Sequence, residues 1–298
     1  MSAHGAKPPF ELRSTAKPMT DPFDDKAVEA DMVANGFLSP LLNHYRSSVI
    51  EAHPDWFDLA NRFNRLAMSV WLDHPISRKG LSINNPEPLT VRLMARAISG
   101  FEGAIILLER GMTVEAGTLV RSLYETGFWI SYILHHEIAA VKFFKLDELR
   151  GKEGRFRAFE KLFATDENKL AEIRATLVKL RGELRGEPKS PSIEAIATMG
   201  GVGNHYANYK VLCGASAHAS VTSTGHYLEL YDDDTVGHVI GPDIAGTGRM
   251  VAFAIHGLIV AFLAFAQTVN SDAFADELAD LSKEYFRRAK GIGAGELG

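Results

Sequence analysis

The chain has 298 residues, 46% of them hydrophobic and 23% charged, which excludes disordered, collagenous and fibrous classes and supplies enough apolar side chain for a sizeable core. Thirty-two Lys and Arg against 37 Asp and Glu leave a net charge of −5, so no global basic field of the kind used in nonspecific nucleic-acid binding exists, although a local basic face stays open. The single cysteine, Cys213, excludes a disulfide framework within the chain and any C-x-x-C metal or redox site.

Residues 1–25 carry Pro8, Pro9, Pro18 and Pro22 among charged residues, without the apolar stretch of a secretory signal. They read as a flexible tail, and the protein is expected in the cytoplasm. The length allows one large domain or two small ones. No shift in composition forces a cut, so residues 26–290 read as a single helical domain and 291–298 as a flexible C-terminus. The fold class that follows is all-α, a multi-helix bundle with central buried helices and one short β-hairpin.

Leu59, Phe63, Leu66 and Val70 recur at helical spacing, and the run stops near His74-Pro75, before a loop through Asn84-Asn85-Pro86. A second helix starts near Glu87, places Val91, Met94, Ile98, Ile105 and Leu108 on one stripe, and ends at Glu109-Arg110-Gly111, with Gly at the C-terminal cap. Thr113 is the expected N-cap of the next helix, with Glu115 favourable against the helix dipole. That helix runs to about Leu134. One face holds Ala116, Leu119, Leu123, Gly127, Ile130 and Leu134 and the other Val114, Thr118, Arg121, Glu125, Phe128 and Tyr132, so it reads as a central helix that carries Arg121 and Glu125 inward.

Residues 137–189 are dense in charges of both signs. Leu170, Ile173, Leu177, Leu180 and Leu184 form a narrow seam between Lys169, Glu172, Arg174, Lys179 and Arg181, which predicts a charged helical hairpin over 137–189 or a seat for a partner helix. After Gly200 to Gly203, a helix is expected to hold Tyr206, Tyr209, Cys213, Ser216 and Ser220 on one side. Tyr227 to Tyr231 and Val236 to Ile240, separated by Asp232-Asp233-Asp234-Thr235, read as the hairpin. Met250 to Ser271 carry no Asp, Glu, Lys or Arg, long enough for a membrane span. The run divides instead into a bulky stripe (Val251, Ile255, Leu258, Phe262, Phe265) and a small one (Ala254, Gly257, Ala261, Ala264). That division suits close packing between helices, so no membrane association is expected. An amphipathic helix from about Asp272 to Lys290 closes the chain.

Arg121 and Glu125 stand four apart, the spacing at which helical side chains touch. Inside a bundle such a pair costs desolvation, so its presence calls for a reason beyond stability. Arg offers a planar fork to phosphate or carboxylate, and Glu orients it; a structural pair fixing register is the other reading. His218, with Ser216 two residues before it and Tyr209 earlier, can exchange a proton near neutral pH. The expected site is therefore Arg121, Glu125 and His218 as its catalytic set, with Ser216 and Tyr209 binding the ligand.

The run Leu107-Leu108-Glu109-Arg110-Gly111, followed by Glu115-Ala116, Leu119, Arg121-Ser122-Leu123 and Glu125, and later Tyr209, Ser216 and His218, resembles the bacterial domain-of-unknown-function family 5677 over roughly residues 85–265. The resemblance implies an all-helical fold with Arg121, Glu125, Ser216 and His218 as its polar signature, and it supplies no activity. Arg46 and His53 match the Arg-to-His spacing of a helical ribonuclease superfamily, but chance supplies about two such matches in a chain of this composition, and Pro54 breaks the shared helix face.

No H-E-x-x-H, E-x-x-H, P-loop or G-x-G-x-x-G is present, and His135-His136-Glu137 are neighbours that point apart on a helix. No metal and no cofactor are expected, and Asp232 to Asp234 read as a polar turn. The expected partners are a small anionic ligand or RNA, in a homo-oligomer, with metal-independent RNA cleavage as the reaction to test. The alternative is a noncatalytic helical scaffold or dimer in which the same residues form a structural network.

Overall fold

Apolar side chains repeating every three or four residues drive helices together along those stripes, and a computed structural model shows the result for residues 25–73, 85–217, 221–230, 236–238, 241–268 and 274–290. The helices are α1 (Asp25–Asn35), α2 (Leu42–Ala52), α3 (Pro54–Asp73), α4 (Pro86–Leu108), α5 (Thr113–Leu162), α6 (Glu167–Leu184), α7 (Ile193–Met199), α8 (Tyr206–Leu212), α9 (Val221–Gly225), α10 (Ile244–Thr268) and α11 (Ala275–Ala289). The strands β1 (Leu228–Leu230) and β2 (Val236–His238) pair antiparallel, with Leu228 opposite His238. The protein is an all-α bundle with one short hairpin. Residues 1–24 and 291–298, the loop from His74 through Asn84, His218, Ser220 and the Asp232-to-Thr235 turn lie outside the described residues.

The core forms where α3, α4, α10 and the first half of α5 meet. Every member of the predicted stripes on α3, α4 and α10 is buried. The small stripe of α10 faces α5. A Cβ on Gly127 would lie 3.2 Å from the amide nitrogen of Ala261, and one on Gly257 would lie 3.1 Å from Leu123, so the two backbones approach as only small residues allow. Among the described residues, α10 is the one helix long and apolar enough to cross a membrane, and most of it is buried inside the protein. Helix α11 lays Leu278, Leu281 and Tyr285 on this core, and its rim pairs with α3 through Arg288–Asp55 at 2.7 Å and Glu284–Arg62 at 2.8 Å.

The regular first half of α5 runs to about Leu134, as expected. The helix breaks regular geometry at His136 (φ −140°, ψ 40°) and continues to Leu162. The His136 ring lies 4.9 Å from that of Tyr132, with Nε2 3.2 Å from the Met199 carbonyl at the end of α7. Beyond the kink, α5 and α6 form the expected charged hairpin, antiparallel, over a seam of Ile173, Leu177 and Leu180. Arg174–Glu160 at 3.0 Å, Arg181–Glu153 at 3.4 Å and Lys142–Glu187 at 2.7 Å line its edges.

The α4–α5 turn is locked by Gly111, whose φ of +69° only glycine adopts without penalty. Its carbonyl accepts from the Asp243 amide at 3.0 Å, and a Cβ there would stand 2.5 Å from that of Pro242. Thr113 is not the N-cap. It is the first helical residue, and its hydroxyl donates to the Asp243 carboxylate at 2.8 Å. Asp243 also accepts from the Gly246 amide at 2.8 Å, which caps the first turn of α10 and ties it to α5. Gly111→Ala is expected to cost about 3 kcal/mol by adding left-handed strain to a clash; urea unfolding would read it, and a change under 1 kcal/mol would show that the turn relaxes freely.

Candidate functional site

Four of the five predicted site residues are described, and three are in contact. Arg121 projects from α5 toward α8, where Nη2 donates to the Tyr209 hydroxyl at 2.9 Å and Nε to Cys213 Sγ at 3.2 Å. The guanidinium carbon lies 5.1 Å from the centre of the Tyr209 ring, within cation–π range. Glu125 Oε2 stands 3.6 Å from Nη2. Tyr209 is buried and held by edge contact with Phe128 (6.0 Å between centroids) and by stacking with Tyr206 (5.6 Å). Cys213, expected on the same helix side as Tyr209 but given no role in the site, is thus a direct partner of the arginine.

The pair does not point inward. The side chains of Arg121 and Glu125 keep 26% and 35% of their exposure, because Val114, Thr118, Arg121 and Glu125 follow one margin of α5 that is buried only from Phe128 onward. A full desolvation penalty therefore does not apply, and the pair itself contributes a few tenths of a kcal/mol. Burial works against the Arg121 charge, but the Cys213 hydrogen bond and the fields of Tyr209, Cys213 and Glu125 outweigh it and hold the guanidinium above its ordinary range. Burial, helped by Glu125, pushes the Tyr209 hydroxyl up to about 12. The site at neutral pH is a fixed cation against a neutral phenol.

Ser216 sits one turn of α5 away. After Leu212 the α8 helix widens into a π-turn over Cys213–Ala217, which breaks the single face expected from the sequence. The Ser216 hydroxyl donates to the Leu212 carbonyl at 2.7 Å, and its own carbonyl accepts from Thr118 Oγ1 at 3.0 Å. It approaches α5 this closely because residue 117 is glycine; a Cβ there would lie 2.9 Å from Ser216. His218 lies outside the described residues.

Opposite Arg121, across the same two helices, is a cluster that the sequence reading missed. Tyr124 is fully buried, and its hydroxyl lies 2.7 Å from His256 Nδ1 on α10; Asn208 Nδ2 donates to the same nitrogen at 3.1 Å. The His205 ring meets that of His256 at 4.7 Å, and Tyr285 stacks on it at 5.8 Å. Burial, then His205, pushes His256 down to about 4, while burial raises both Tyr124 and Tyr285. Adjacent residues of one segment thus serve two clusters, Asn208 the histidines and Tyr209 the arginine. A histidine in a long uncharged run was the available signal, since a buried imidazole demands partners.

The Arg-to-His pair near the N-terminus is split between structural roles. Arg46 pairs with Glu109 at 2.8 Å, and His53 Nε2 lies 2.7 Å from the Ile244 carbonyl.

No curated protein and no solved structure matches the chain. The sequence model of a family of unknown function (DUF5677) matches residues 88–236, a span that holds Glu109, Gly111, Glu115, Arg121, Glu125, Tyr209 and Ser216 and stops short of α10. With half its length matched, and with the motif residues of that span placed as described, the chain belongs to the DUF5677 family.

Proposed function

We propose that the Arg121 cluster is a binding site for a small anion or a phosphodiester. One observation carries this reading. The guanidinium is anchored through Nε and Nη2, Nη1 has no partner among the described residues, and the group retains a quarter of its exposure. A cation fixed on one edge and open on another is preorganised for phosphate or carboxylate. Glu125 orients it, and Tyr209 supports it from below. Metal-independent RNA cleavage is the reaction that these residue types serve best, with Arg121 neutralising phosphate charge and His218 exchanging a proton.

A second reading, a noncatalytic structural network, is favoured by how the motif residues are spent. Glu109 holds Arg46, Glu115 accepts from Tyr227 at 2.8 Å, Ser122 accepts from Arg96 at 3.2 Å, and Arg121 joins α5 to α8.

Thermal melts of the wild type, Arg121→Ala and His218→Ala, with and without phosphate, nucleotides and short RNAs, separate the two. The binding reading expects a ligand to raise the wild-type melting temperature, by an amount worth about 2.7 kcal/mol at a hundredfold excess over Kd, and expects the Arg121→Ala protein to lose that rise at an intrinsic cost of about 1–2 kcal/mol. Lowered melting in both variants with no ligand response in any protein would leave the network reading standing.

A further inference from the structure

The histidine cluster borders a cavity of about 280 Å³ between α5 near its kink, the end of α7 with the segment after it, α10 and α11. Leu134, Ile259, Val260 and Phe286 supply its apolar wall, His205 and His256 its inner polar end, and the exposed His135 and Gln267 its mouth. Among the described residues, no Lys, Arg, Asp or Glu lines it. An apolar cavity of about 150 Å³ accommodates benzene, so this one has room for one or two fused rings.

The polar end has a defined direction. An amide nitrogen can only donate, so Asn208 Nδ2 at 3.1 Å makes His256 Nδ1 an acceptor and puts the ring proton on Nε2. His256 is more than nine-tenths buried, and Nε2 has no hydrogen-bond partner among the described residues. Nε2 is not one of the fully enclosed polar atoms left without a partner, and the cavity that His256 lines is where an acceptor can reach it. Burial holds both His205 and His256 below the ordinary histidine range, so both rings are neutral at pH 7.

We infer that this cavity binds an uncharged one- or two-ring aromatic compound whose hydrogen-bond acceptor pairs with His256 Nε2–H, its ring lying between the apolar wall and the imidazole of His205. This site is independent of Arg121 and lies on the far side of the α5–α8 contact.

Quinoline is a suitable probe, with an acceptor nitrogen on two fused rings. Indole has a similar shape but only a donor, and 2-naphthoate adds a charge. Long-range nitrogen–proton NMR of the histidine rings in the full chain at pH 7.5 reads the site directly. Quinoline is expected to shift the His256 Nε2 resonance saturably while Nδ1 keeps the chemical shift of an unprotonated nitrogen. Indole should bind at least about tenfold more weakly, and 2-naphthoate should not bind. Because His256→Phe disturbs Tyr124, the companion variant is Val202→Phe, which fills the cavity from its wall; it should keep the His256 signals and lose the response to quinoline. Absence of a shift at millimolar quinoline, equal binding of all three compounds, or an undiminished response in Val202→Phe would each overturn the assignment.

Discussion

Gly200→Ala is expected to destabilise the protein by about 2 kcal/mol, and Gly200→Val by more, although φ at this position is an ordinary −78°. The cost is steric. A Cβ on Gly200 would stand 2.9 Å from the backbone nitrogen of Tyr132 and 3.1 Å from the carbonyl carbon of Ser131. Those atoms belong to the buried part of α5 and cannot rotate away as a flexible side chain would. The end of α7 must therefore lift from α5, and the segment bearing His205, Asn208 and Tyr209 follows directly from it. Both polar clusters should loosen together, so the variant should weaken the Arg121 contacts and the His256 hydrogen bonds in the same preparation. Gly154→Ala is the matched control. That glycine lies in the exposed hairpin half of α5 with nothing within 4 Å of a new Cβ, so alanine should stabilise by about 0.5–1 kcal/mol through helix propensity. Urea unfolding of the two variants should move in opposite directions; a neutral Gly200→Ala would show that the α5–α7 contact is not close-packed in solution.

The reach of the sequence reading follows from the range of the interactions that it used. Periodicity gave the buried stripes of α3, α4 and α10, because each stripe is a local pattern that burial then rewards. The 209–216 face failed where a π-turn changed the period. The Leu134 boundary was legible, since regular helix geometry breaks two residues on, at His136, where the charged hairpin begins. Arg121 and Glu125 were legible as a pair, since four residues of helix suffice to join them, and the Gly111 cap for the same local reason. Whether that pair was inside or at the margin was not legible, because it depends on how far α8 covers α5. Cys213 and the Tyr124–His256 cluster escaped because their partners lie 92 and 132 positions apart, a separation at which no spacing rule operates. His256 stood out only as an interruption in an apolar helix.

That interruption sets how stability responds to acid. His256 titrates near 6.5 in the unfolded chain and at about 4 when folded, because burial and, second, the neighbouring His205 disfavour its charge. Between those two values the unfolded state binds the extra proton, so stability is full above pH 6.5 and falls as pH drops toward 4. The loss from this one ring should reach about 2 kcal/mol between pH 7.5 and pH 5 and about 3 kcal/mol below pH 4. His205, lowered by burial, adds in the same direction. The tyrosines that face the ring, Tyr124 and Tyr285, are raised by burial and stay neutral throughout this window. Glu284, lowered by its Arg288 hydrogen bond, loses its contribution only below the ordinary carboxylate range, so it does not blur the signal. Unfolding free energies measured from pH 5 to 7.5 should therefore show a slope that His256→Phe reduces to the His205 share and that His226→Phe, at an exposed position, leaves unchanged. An unchanged slope in His256→Phe would mean that the imidazole is charged or solvated in the folded protein, and the neutral Nε2–H donor at the cavity would fall with it.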